Sequence, residues 1–229
     1  MLIHNSRHIV IPALAGLRVH TPRGGAAAAW WQVAGVTCLV AYQAKGASSY
    51  AASKSNLAQP GTYDAADGAA YPTWDAATGW TFNGSDQYLN TGYTPTWSHT
   101  IAVQYTNLVG NVAVVWGASF NFLVQNWHNT GIRFYLVNGK IGSTPVLNGN
   151  LVLAGGGANN GIGYSNGVQD QTGLCAGNMP SPGTCFIGGN NNGGVLQNAA
   201  AMKVQAWAAW SSQLSAAQVA TVSAAMAAL

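Results

Sequence analysis

The chain has 229 residues, with 8 Lys and Arg against 5 acidic residues, and only 6% of it is charged, where an average soluble domain carries about 25%. All of the acids are Asp, so mechanisms that need a Glu acid, base or metal ligand are excluded, as are charge-laced coiled coils and acidic disordered segments. A net charge of +3 from scattered bases neutralises few phosphates, so no specific nucleic-acid binding is expected, while 48% apolar residues with 9 Trp and 9 Tyr suffice for a core.

Charge is uneven along the chain. Residues 1–63 hold Arg7, Arg18, Arg23, Lys45 and Lys54 and no acid. Residues 1–30, punctuated by Pro12, Pro22, Gly24 and Gly25, read as an extended N-terminal arm. The competing reading is a first strand folded into the body. The apolar patch from Ile9 to Leu17 is short, is broken by Pro12 and lacks a small-residue cleavage site, so it does not read as a signal peptide. No run reaches the ~20 strongly apolar residues of a membrane span.

Residues 31–229 read as one domain of short strands with Gly/Asn turns. Val36 to Gln43 is a strand candidate, and residues 44–78 look irregular. Strand signals follow at Gly79 to Leu89 around the turn Asn83-Gly84-Ser85, at Ile101 to Tyr105 with strict alternation, and at Val112 to Trp116. Others lie at Phe120 to Gln125, Ile132 to Val137, Leu151 to Leu153, Gly161 to Tyr164, Thr184 to Ile187 and Met202 to Trp210. Asn138-Gly139 reads as a hairpin turn. The one clear helix spans 216–228: Ser215 and Gln218 form a capping box, Leu214 and Val219 a hydrophobic staple, and Val219, Val222, Met226 and Leu229 one apolar face.

Several local patterns resemble a family. The run Tyr42-Gln43-Ala44-Lys45-Gly46, the segments 53–61 and 72–89, then Ile187-Gly188-Gly189, Ala201 to Trp210 and Leu214-Ser215-Ala216-Ala217-Gln218 resemble the opening and closing of a concanavalin A-like, laminin-G-type jelly roll. The variant resembles domains of bacteriophage virion proteins. The resemblance implies an all-β fold: a concanavalin A-like jelly-roll β-sandwich with an extended N-terminal arm and a short C-terminal helix. It further implies an accessory, decoration-type virion protein assembled in the bacterial host cytoplasm. Its partners would be a major capsid or tail protein, bound through Arg7, Arg18 and Arg23 of the arm, in homo-oligomeric or multi-copy display with no membrane association. The alternative is a carbohydrate-binding adhesin module recognising host polysaccharide.

Catalysis is not expected. The five Asp (Asp64, Asp67, Asp75, Asp86 and Asp170) never fall two to a strand, so the carboxylate pair of a glycosidase is missing. No nucleophile elbow, phosphate loop or dinucleotide fingerprint occurs. Asp64 and Asp67 offer weak Ca2+ ligands against the plainer reading of a solvated turn, and no other cofactor is implied. Sugar binding needs an aromatic platform with amides beside it; Asn126, Trp127, His128 and Asn129, with Trp97, are the candidates, the plainer reading being a strand end with one buried Trp. Cys38 reads as a buried small hydrophobe, while Cys175 and Cys185 flank a loop that a disulfide would close.

Overall fold

The computed structural model describes residues 29–119, 121–128, 131–136, 138–142, 146–157, 160–174 and 183–229. The first elements are β1 (Cys38–Gln43), the short helix α1 (Tyr50–Lys54), β2 (Ala66–Asp67), β3 (Thr73–Asp75), β4 (Gly79–Asn83) and β5 (Leu89–Asn90). Next come β6 (Thr100–Val109), β7 (Val114–Ser119), β8 (Phe122–Trp127), β9 (Gly131–Leu136) and β10 (Asn138–Ile141). β11 (Gly149–Ala154), β12 (Gly161–Ser165), β13 (Val168–Leu174), β14 (Phe186–Ile187), β15 (Asn190–Asn192), β16 (Val195–Gln197) and β17 (Ala201–Trp210) follow, and α2 (Ala216–Ala227) comes last.

These strands form two sheets. The first runs β13-β12-β11-β6-β17-β4-β3, with β1 also on β17; the second runs β10-β9-β8-β7-β14-β5-β2, with β15 on β7 and β16 on β15. Val103, Tyr105 and Trp207 of the first sheet meet Val115, Val124 and Phe134 of the second in one fully buried core. The alternation of Ile132, Phe134 and Leu136 with Arg133 and Tyr135 follows directly, since successive side chains of a strand point to opposite faces.

β17 organises the first sheet. One edge pairs with β6, and the other is shared by β4 along Ala201–Val204 and β1 along Ala206–Trp210. A register shift lies between Val204 and Ala206. Before it, Met202 and Val204 face the main core; after it, Trp207 and Ala209 do, so one extra residue has changed the parity. The carbonyl of Gln205, at the bulge, accepts from both Ala44 N (2.8 Å) and Lys45 N (3.1 Å). Gly79 is required opposite: its φ is +86°, and a Cβ there would lie 2.2 Å from the Val204 carbonyl oxygen.

The far face of the first sheet is covered by α2 and by the segment from Trp30 to Cys38. Ala206, Ala208 and Trp210 of β17 pack there with Val219, Val222 and Met226 of α2. Fully burying each of the three helical side chains contributes roughly 1.5–3 kcal/mol. Both arms of the capping box at Ser215 and Gln218 are made, and Leu214 and Val219 are both buried in this second cluster. Trp30 is buried here too, and its indole N–H donates to Gln43 at 3.1 Å. Residues 1–28, most of the expected arm, lie outside the described residues.

Two local expectations change. Residues 44–78 are not irregular throughout: they hold α1, β2 and β3, organised by the fully buried amide of Asn56. Asn56 accepts from Ala41 N (2.9 Å) and Ala58 N (3.0 Å) and donates to Leu39 O (2.9 Å) and Thr62 O (2.8 Å). Asn138 and Gly139 are not a turn but the start of β10, paired with Leu136 and Tyr135.

Candidate functional site

The outer face of β8, β9 and β10 carries a half-buried cluster of rings around a cation. Cross-strand register sets Trp127 opposite Gly131, Gln125 opposite Arg133 and Leu123 opposite Tyr135. Trp127 and Arg133 are therefore diagonal neighbours, within reach for long side chains. The guanidinium carbon of Arg133 lies 4.3 Å from the Trp127 ring centroid and 4.6 Å from that of Tyr135. Such cation–π contacts stabilise by about 0.5–1 kcal/mol each at exposed sites.

The neighbouring strand leaves space for this arrangement. Gly139 of β10 pairs with Tyr135, and a Cβ at Gly139 would lie 2.3 Å from Arg133 Nε and 2.5 Å from the Tyr135 ring. Glycine at this position lets both side chains lie down over β10. The Arg133 Nε is buried without a hydrogen-bond partner, and no carboxylate among the described residues pairs with the guanidinium. Behind the cluster, Lys140 Nζ donates to Thr172 O (2.6 Å) and Gln171 Nε2 to Ile141 O (2.8 Å), joining edge β10 of the second sheet to edge β13 of the first.

Of the residues proposed from sequence, Trp127 sits in this cluster and is half-buried. His128 is exposed, sets its ring edge against Trp127 at 4.6 Å, and adopts φ +48° as β8 ends. Asn126 is buried, and its amide donates to Gly110 O at 2.7 Å, so it fastens the end of β8 to a turn. Asn129 lies outside the described residues. Trp97 belongs to the segment before β6, in the other sheet; it is half-buried against the main core, and no contact joins it to the Trp127 cluster among the described residues. Sequence reading missed Arg133 and Tyr135. The signal was present, since alternation with Ile132, Phe134 and Leu136 places both on the face opposite the core.

The remaining candidates have other partners. The Asp64 carboxylate accepts from Asn56 N (2.7 Å), and Asp67 from Lys54 Nζ (2.8 Å) and the Tyr50 hydroxyl. Among the described residues, no group of three His, Cys, Asp or Glu is placed to hold a metal ion. Cys185 is fully buried, which raises its thiol pKa well above the ordinary value, whereas Cys175 lies outside the described residues. Cys38 is half-buried against the second cluster, and desolvation pushes it up to about 12. Arg7, Arg18 and Arg23 also lie outside the described residues.

No family model and no curated protein matches the sequence. Solved structures do match the fold. A Trypanosoma rangeli sialidase, held as a covalent intermediate with 2,3-difluorosialic acid, superposes with a TM-score of 0.60 at 18% identity, covering 93% of this chain and 35% of the sialidase. The T. rangeli sialidase in complex with sialic acid gives a TM-score of 0.60 at 14% identity, covering 84% of this chain and 33% of that one. A further T. rangeli sialidase structure gives 0.58 at 14% identity.

These neighbours correct the family reading. The concanavalin A-like jelly roll of phage virion type gives way to an all-β, two-sheet fold of the kind present in sialidase structures. The misleading motifs were local ones. Leu214 to Gln218 is a capping box with a staple, and Asn83-Gly84-Ser85 a turn; any all-β chain with a terminal helix can use both. The decoration-protein function, the capsid or tail partners and the virion location rested on that resemblance, and they fall with it. The expectation of no enzymatic activity falls too, because the proteins that share the fold are enzymes. The chain spans about a third of the length of the sialidases it matches, and at this identity the likeness shows the fold alone.

Proposed function

We propose that the chain binds carbohydrate through the Trp127, Arg133 and Tyr135 platform. The observation that carries this is a guanidinium without a carboxylate partner among the described residues, set between two aromatic rings on an outer sheet face. Sugars present apolar C–H faces to rings and hydroxyls to donors, and a guanidinium grips a carboxylate in two-point fashion. An acidic sugar suits all three groups. The fold neighbours support this choice, because the T. rangeli sialidase was captured with sialic acid.

A glycan array probed with the whole chain tests the proposal. Retention of sialylated or other carboxylate-bearing glycans is expected, with loss in Trp127→Ala and in Arg133→Gln. Absence of any glycan binding, or binding unchanged in both variants, sinks it. The same preparations are assayed for release of sialic acid from a sialoside, since the solved neighbours are enzymes. Turnover would extend the proposal from binding to hydrolysis.

A further inference from the structure

We infer that a second, separate sugar-binding patch lies toward the opposite edge of the same sheet, built from Tyr50, Lys54, Asp67 and Tyr71, and that it takes a neutral pyranose unit. β2, which carries Asp67, is five strands from β9 in the order β9-β8-β7-β14-β5-β2. At roughly 4.8 Å per strand this is about 24 Å along the sheet. The patch therefore shares no residue with the Arg133 platform, and its test is independent of that reading.

Tyr71 is 64% exposed, in a chain that buries most of its aromatic rings. Its ring centroid lies 6.2 Å from that of Tyr50, with the planes tilted by 44°. The polar groups beside it are already fixed. Asp67 accepts from the Tyr50 hydroxyl and from Lys54 Nζ at 2.8 Å, and the same ammonium sits 4.3 Å from the Tyr50 centroid. α1 holds Tyr50 and Lys54 one turn apart, capped by Ser49 and tied inward by the buried Ser53. Directly after β2, Gly68 lies against the Tyr88 ring, a Cβ there falling 2.3 Å from a ring carbon. Groups immobilised in advance cost little further entropy on binding.

The chemistry of the patch points to a neutral ligand. Asp67 and Lys54 cancel in charge, so neither a carboxylate nor an ammonium on the ligand gains a net counter-charge. The carboxylate keeps lone pairs for a sugar hydroxyl donor, and the ammonium keeps N–H groups for a hydroxyl acceptor. Two adjacent hydroxyls of a pyranose match that pair while its C–H face covers the exposed Tyr71 ring.

The test is titration of the whole chain, by amide-resolved NMR, with a panel of neutral hexasaccharides (maltohexaose, cellohexaose, mannohexaose and xylohexaose). At least one is expected to bind, with shifts centred on residues 50–71. Tyr71→Ala and Asp67→Asn should each weaken it about tenfold, Tyr71→Phe should retain it, and Trp127→Ala should leave it unchanged. Tyr71 is exposed enough for its variants to fold. Failure of every sugar to bind at roughly 10 mM, full binding by Tyr71→Ala, or loss of binding in Trp127→Ala overturns the inference.

Discussion

The indole N–H of Trp80 donates to the hydroxyl oxygen of Ser53 at 2.8 Å, and both residues are completely buried. The Ser53 hydroxyl in turn donates to the Tyr50 carbonyl at 2.6 Å. This relay fastens α1 to the core strand β4. Ser53→Ala removes the acceptor and leaves the indole N–H unpaired in an apolar interior, at a cost of about 1–3 kcal/mol. Urea unfolding should show a lower midpoint with unchanged slope. Ser53→Cys, which keeps a weak acceptor, should fall between the two.

Asn56 has more at stake, because its amide satisfies four backbone groups from three segments of chain. Asn56→Ala orphans the buried Ala41 N–H and the carbonyl of half-buried Leu39 together, so a loss of about 2–4 kcal/mol is expected. Asn56→Asp keeps the acceptor but cannot donate to Leu39 and Thr62 while ionised. Its stability should recover partly as pH is lowered and the carboxyl protonates. A midpoint for either variant within error of the parent protein would show that the segment has another anchor.

How much of this was legible in the sequence depends on whether a feature is local. α2 was readable because Ser215, Gln218, Leu214 and Val219 act within two turns of one another. β6 was readable from the strict alternation of Ile101, Val103 and Tyr105 with Ala102 and Gln104. β13, with the sequence Val168-Gln-Asp-Gln-Thr-Gly-Leu174, and the triple Asn of β15 carry almost no apolar signal; they are strands because β12 and β7 present ladders to them. The site divides in the same way. Trp127 stood out as an aromatic at a strand end, but only the β8–β9 register sets Arg133 diagonal to it, and only the bond to Gly110 explains why Asn126 is buried.

Gly139→Ala separates binding from stability. The added methyl must displace Arg133 or Tyr135, since it would lie 2.3 Å from Arg133 Nε. Loss of two cation–π contacts at about 0.5–1 kcal/mol each is partly offset by the roughly 0.5–1 kcal/mol gained on replacing glycine in a strand. The melting temperature should therefore shift little, while Trp127 fluorescence changes and retention on the acidic-glycan array drops. Unchanged fluorescence and unchanged retention together would show that the side chains do not lie over β10.

His99 makes stability depend on pH in the mildly acidic range. Its Nδ1 accepts the Thr96 N–H at 3.1 Å and is bonded to the Tyr93 hydroxyl, whose ring stacks on the imidazole and sets its edge on Trp207. An acceptor at Nδ1 must be unprotonated, so the folded state holds the neutral tautomer with its proton on Nε2. Desolvation by burial lowers the folded-state pKa below the ordinary 6.5. Between the lowered folded value and 6.5, the unfolded chain binds more protons than the folded one, so folding stability rises with pH there. The contribution is complete above 6.5, declines as pH falls toward the folded pKa, and then levels off. Denaturant midpoints measured from pH 7.5 down to about 4.5 should show this decline, and His99→Gln, which has no titrating ring, should lack the component. If the parent chain and His99→Gln follow the same pH curve, the imidazole does not set the stability of the segment leading into β6.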